Sequence, residues 1–175
     1  MNRYVLLSLL ILLGTWPLSF ATANPLPYIQ HYTKTTYDGG TQNWDFGEDE
    51  EGRIFVANNE GLLVFDGLNW QRFQLPNATV VRSVANWPGH GILVGGQNEL
   101  GLYRPNAEGR LIYHSLRDLV PAEALSFADV WDLIPIGEQV IIRTSQFLFL
   151  LENSQLTLLS KQGPHLFSTF YEGSA

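Results

Sequence analysis

Residues Arg53-Ile54-Phe55-Val56-Ala57-Asn58-Asn59-Glu60-Gly61-Leu62-Leu63-Val64-Phe65 join two apolar runs through a short polar hinge. The same design returns 38 residues on, its Asn-Glu pair 39 on, as Gly91-Ile92-Leu93-Val94-Gly95-Gly96-Gln97-Asn98-Glu99-Leu100-Gly101-Leu102-Tyr103. A more divergent copy is Gln139-Val140-Ile141-Ile142 with Phe147-Leu148-Phe149-Leu150-Leu151. Short apolar, β-branched runs bounded by Gly, Asn and Asp read as strands. Recurrence at a period of about 40 residues means stacked units of one supersecondary type.

Working outward, each copy is preceded by another strand-like segment: Asn43-Trp44-Asp45-Phe46, Val81-Arg82-Ser83-Val84 and Val130-Trp131-Asp132-Leu133. Turn chemistry separates the strands. Glu51-Gly52 and Pro88-Gly89 mark the turn after the first strand, and Asn106-Ala107-Glu108-Gly109 marks a later hairpin. Asp66-Gly67 reads as a two-residue type I′ hairpin between Leu62–Phe65 and Trp70–Phe73. Four antiparallel strands per unit predict an all-β fold of β-propeller blades, about three of them, spanning 43–80, 81–127 and 130–170. A β-sandwich is the alternative, but it does not explain the repeated hinge. The extra residues of the second unit, Ser115 to Phe127, carry a Leu-Arg-Asp-Leu pattern that predicts a short helical turn.

The chain has 175 residues, with 10 Lys+Arg against 17 Asp+Glu and a formal charge of −7. Its 16 Gly, 9 Pro, 5 Trp, 7 Tyr and 10 Phe favour strands and turns, and its 15% of charged residues argues against long exposed helices. The acidic balance and the lack of any Lys/Arg run exclude a nucleic-acid partner. The N-terminus reads as an export signal over 1–23: Arg3, the apolar stretch Val5 to Leu13, and Ala21-Thr22-Ala23 before Asn24. Residues 24–175 are then a periplasmic protein with no further membrane span, because Arg143 interrupts the best remaining apolar run. With no cysteine there is no disulfide framework, thiolate metal site or cysteine nucleophile.

The segments Gln42-Asn43-Trp44, Arg53 to Leu63, Phe65-Asp66-Gly67-Leu68-Asn69-Trp70, Val81-Arg82-Ser83-Val84 and Val94 to Gly101 resemble the two-component regulator propeller repeats. The resemblance covers Tyr28 to Phe170. It implies the periplasmic ligand-sensing region of a bacterial receptor, of the version that often precedes a triple-tyrosine domain. In the wider family a membrane helix then leads to a histidine kinase, a DNA-binding output or a diguanylate cyclase. Propellers close with about four to eight blades, so three copies fall short of a ring. The expectation is an N-terminal fragment of a longer sensor or a truncated reading frame, since a fourth innermost strand would begin near Phe170. The alternative is a stand-alone module that closes by self-association.

Aligning the copies places Trp44, Arg82 and Trp131 at one position of the innermost strand, and Asp45, Ser83 and Asp132 at the next. Strand alternation sends the two sets to opposite faces, so one of them is expected to look into the channel mouth. Indole faces beside a guanidinium suit stacking on sugar rings and pairing with carboxylates. The bland alternative is that the tryptophans pack between blades and Arg82 pairs with a neighbouring Asp. Asn59 and Asn98 recur before a strand, either as ligand-facing loop tips or as turn caps in left-handed conformation. Glu48-Asp49-Glu50-Glu51 lacks calcium-loop spacing and reads as a solvated hairpin tip. The histidines lack zinc spacing, and no Gly-x-Ser-x-Gly elbow or phosphate loop is present, so no cofactor, metal or catalytic residue is assigned.

The functional expectation is a non-catalytic sensor region for an extracytoplasmic small molecule or oligosaccharide. A glycan-active propeller enzyme using Asp45 and Asp132 is the second reading, and an inert product of a disrupted gene the third.

Overall fold

The computed structural model describes residues 27–161; the expected export signal and the end of the expected third repeat lie outside the described residues. Of those described, 27–31 belong to one compact unit and are exposed without regular secondary structure, while 32–161 belong to a second. Everything below concerns the second unit.

A single helical turn, α1 (Lys34–Tyr37), precedes twelve strands. The first sheet is β1 (Asn43–Glu48), β2 (Ile54–Asn58), β3 (Gly61–Phe65) and β4 (Trp70–Phe73). The second is β5 (Val81–Trp87), β6 (Gly91–Gly96), β7 (Leu100–Pro105) and β8 (Leu111–Ser115). The third is β9 (Val130–Ile136), β10 (Gln139–Thr144), β11 (Phe147–Glu152) and β12 (Gln155–Lys161). Each is an antiparallel meander in sequence order, and none closes on itself. The fold is all-β and propeller-like, with three four-stranded blades among the described residues.

The near-continuous apolar strands are explained by burial on both faces. Ile92 and Val94 of β6 join Phe55, Ala57, Leu62 and Val64 in a cluster between the first and second sheets. Leu93, between them in sequence, points the other way into a second cluster with Val130, Val140, Ile142 and Phe149 of the third sheet. Phe46 and Ile54, on the other face of the first sheet, are 63% and 40% exposed. Their counterparts by strand register, Val84 and Ile92, are buried at 4% and 3%.

The turns depart from expectation at one place. Phe65 pairs with Trp70 and the Asp66 amide donates to the Asn69 carbonyl at 3.2 Å, so Gly67-Leu68 form the tip, and only Gly67, at φ 93°, takes positive φ where type I′ needs two such residues. Asp66 accepts the amides of Leu68 and Asn69 at 2.8 and 2.6 Å, an Asx-type closure added to the glycine-led turn. These two amides also hold the exposed carboxyl below its usual range. Gly52, Gly89 and Gly109 adopt positive φ at the turns the sequence marked. The insertion forms two single 3-10 turns, Arg117–Leu119 and Ala122–Ala124, and then Phe127. Val120, Ala124 and Phe127 are buried in the cluster shared with the third sheet, so the insertion is core material.

Candidate functional site

Each innermost strand carries an irregularity at the same place. In β1, Asn43 pairs with Asn58 and Asp45 with Ala57, leaving Trp44 as an extra residue. In β5, Val81 pairs with Gly96 and Ser83 with Gly95, leaving Arg82 over. In β9, Val130 pairs with Thr144 and Asp132 with Arg143, leaving Trp131 over. These are β-bulges, which re-aim a side chain and break strict alternation.

The bulges bring the aligned set together. The Arg82 guanidinium carbon lies 3.9 Å from the Trp44 ring centroid and 5.3 Å from that of Trp131. The two indoles meet edge to face at 6.1 Å. Such cation–π contacts gain strength as water is excluded, and the Arg82 side chain is 18% exposed. Each indole N–H is held: Trp44 Nε1 donates to Asn59 Oδ1 at 2.7 Å, and Trp131 Nε1 donates to Ser145 Oγ at 3.0 Å. Arg82 Nε donates to Asp129 Oδ1 at 3.2 Å, while its Nη1 is buried without an acceptor among the described residues.

The second aligned set turns to the neighbouring blade, which corrects the expectation that alternation would separate the two sets. Asp45 Oδ2 accepts the Val84 amide at 3.0 Å, and its Oδ1 accepts the Phe46 amide at 2.8 Å. Ser83 Oγ donates to the Val130 carbonyl at 2.9 Å. Both residues tie one innermost strand to the next, so both sets act between blades. Asp132, third in the series, pairs with Arg143 on β10.

The hinge asparagines divide the labour. Asn98 takes the left-handed conformation at φ 51°, and its Oδ1 accepts the Ala128 amide at 2.8 Å. Asn59 stays out of that region and orients Trp44. Asn58, fully buried, binds Gly40, Gln42, Asn43 and Glu60 and fixes the segment leading into the first bulge. Glu99, 5% exposed, accepts the Tyr113 hydroxyl at 2.8 Å, whereas its counterpart Glu60 is exposed and pairs with Arg72. Burial, then the Glu99 charge, pushes the Tyr103 phenol up to about 12. Burial, then the Glu99 hydrogen bond, raises that of Tyr113 as well.

At the opposite ends of the innermost strands, a cleft of about 650 Å³ opens between the β1–β2 turn and the second sheet. Asp49, Glu50, Asn86, His90 and Arg104 line it. Of the acidic run, Asp49 is not solvated: its side chain is 5% exposed and accepts from the Glu51 amide, the Arg53 amide and Arg53 Nε. Among the described residues no group of three or more His, Asp or Glu side chains is placed to hold a metal. No helix there is long and apolar enough to cross a membrane.

Together these features define a blade-repeat, propeller-like domain with a cluster of bulged side chains at one end of its innermost strands. No family model and no curated protein matches the chain. Two solved structures of the extracellular domain of BT4673 from B. thetaiotaomicron resemble it, one described as a one-component system and the other as a hybrid two-component system. Each aligns with a TM-score of 0.52 at 20% sequence identity, covering 67% of this chain and 15% of that chain. The present chain thus spans about 15% of the length of that domain, and the likeness is one of fold.

Arg82 pairs with an Asp and the two indoles meet between blades, as the bland alternative had it, but that Asp is Asp129, which like Ser145 lies outside the repeat alignment. The bulges escaped the sequence reading because a single extra residue leaves no mark in an apolar pattern.

Proposed function

We propose that this chain is the ligand-sensing part of an extracytoplasmic receptor of the two-component regulator propeller kind, exported by its N-terminal signal and non-catalytic. One observation carries the reading: three successive bulges converge Trp44, Arg82 and Trp131 on one cluster. Bulges cost ladder hydrogen bonds, and their repetition at a strand end is the kind of feature found at binding sites. The fold shared with ectodomains described as parts of signalling systems supports the same reading. The ligand is a small molecule or oligosaccharide that stacks on indole. Signalling by such a domain requires the ligand to prefer one arrangement of blades or protomers over another.

The enzymatic reading is weaker because Asp45 spends both oxygens on backbone amides and Asp132 is paired with Arg143. The test is a thermal-shift screen of the purified chain against soluble oligosaccharides and small metabolites. Any hit is repeated on Trp44→Ala and Trp131→Ala. The reading expects a saturable shift that both substitutions abolish while the unliganded melting temperature stays within a few degrees. A hit indifferent to both substitutions, or turnover lost in Asp45→Asn, would sink it.

A further inference from the structure

We propose that the Trp44, Arg82 and Trp131 face recognises a carboxylate on its ligand, with the Arg82 guanidinium as receptor; this rests on the reading of that face as the ligand site.

The carboxylates of the cluster are engaged: Asp45 accepts the amides of Val84 and Phe46, Asp129 accepts Arg82 Nε through Oδ1, and Asp132 pairs with Arg143. Both indole N–H groups are satisfied by Asn59 and Ser145. What remains unmatched is a donor on a cation. Arg82 has five N–H groups and makes one hydrogen bond, through Nε. Its Nη1 is buried with no acceptor among the described residues, an arrangement that costs stability until an acceptor arrives. The Arg82 side chain is 18% exposed, and a ligand acceptor would meet the guanidinium through that accessible part.

An anionic oxygen is preferred over a hydroxyl. A charge-assisted bond to guanidinium is about twice as strong as a neutral one. The planar fork is shaped for carboxylate, and the flanking indoles exclude the water that would weaken the bond. Asp129 occupies only the Nε side. The chain's formal charge of −7 opposes anions at long range, but that field is screened beyond about 8 Å at physiological salt, whereas the fork acts at contact. Two ligand sources share this chemistry: a hexuronate, which adds a ring to stack on Trp44 or Trp131, and a simple aliphatic acid.

The experiment titrates the tryptophan emission of the full chain with glucuronate, its methyl ester, glucose and propionate at fixed ionic strength. The expected result is saturable binding of glucuronate, at least about tenfold tighter than its ester or glucose, the difference a lost charged hydrogen bond makes. Propionate binding as tightly as glucuronate assigns the source to an aliphatic acid; weaker propionate binding assigns it to an acidic sugar. Arg82→Lys keeps the charge and loses the fork, and is expected to weaken glucuronate by about tenfold or more. The ester comparison needs no variant and so does not depend on how Arg82→Lys folds. Equal affinity for ester or glucose overturns the carboxylate while leaving the cluster as a ligand site. No response to any of the four compounds also overturns it, and the screen described above then judges the ligand site by itself.

Discussion

Replacing Asn58 by alanine tests how the first bulge is held. The side chain is fully buried at the end of β2 and has five hydrogen-bonding partner groups. Its amide nitrogen shares two hydrogens among the carbonyls of Gly40 and Gln42 and Asn43 Oδ1, and its oxygen accepts the amides of Gly40 and Glu60. With two N–H hydrogens and two accepted amides, a net of about 1 kcal/mol per bond sets a ceiling of about 4 kcal/mol. Gln42, Asn43 and Glu60 are exposed, so water replaces their share, whereas the amide and carbonyl of Gly40 are half-buried and lose theirs. The two Gly40 bonds and the small void then cost about 2–3 kcal/mol. With a urea slope of about 1–3 kcal/mol per molar, the unfolding midpoint falls by about 1–2 M. The assay is urea unfolding followed by circular dichroism, with tryptophan emission as a second probe of the Trp44 surroundings. A midpoint within about 0.3 M of wild type, on an unchanged slope, would refute the claim that Asn58 secures the entry to β1.

Other expectations follow from the same contacts. Asp45→Ala removes the acceptor of the Val84 and Phe46 amides and should cost about 1–3 kcal/mol in thermal or urea unfolding; no change would mean it does not tie the blades. Gly91→Ala forces a side chain at φ 125° and sets its Cβ 2.4 Å from the Tyr103 carbonyl oxygen, so a loss of about 2 kcal/mol or more is expected, read by calorimetry. The Tyr103 phenol is raised from 10 to about 12 in the folded state, so folding holds its proton where the unfolded chain releases it. Stability from this group is present below pH 10 and is lost between about pH 10 and 12, which tyrosinate absorbance tracked alongside unfolding would show.

The blade repeat was legible because its signal is redundant: apolar runs, Gly52 and Gly89 in turns, and a recurring Asn-Glu hinge all give the same period. The alignment of Trp44, Arg82 and Trp131 was legible for the same reason, and the structure brings the three into contact. Direction was not legible. Period-two reasoning separates Trp44 from Asp45, but a bulge is a backbone event set by cross-strand register, and both side chains reach the second blade. The turn type at Asp66–Asn69 was not legible either, since one carboxylate closes two amides beside a single positive-φ glycine, Gly67. Phe127 read as part of an insertion because its burial depends on a partner sheet distant in sequence.

The most direct test of the account is to take a ligand found by the thermal-shift screen and measure its affinity by calorimetry for wild type, Trp44→Ala, Trp131→Ala and Arg104→Ala. Arg104 lines the cleft at the other end of the innermost strands, so it separates the two sites. The account predicts that both tryptophan variants lose binding, by about tenfold or more per stacking face, while Arg104→Ala binds as wild type. Loss of binding in Arg104→Ala, with the tryptophan variants unaffected, would place recognition in the cleft and contradict the central claim.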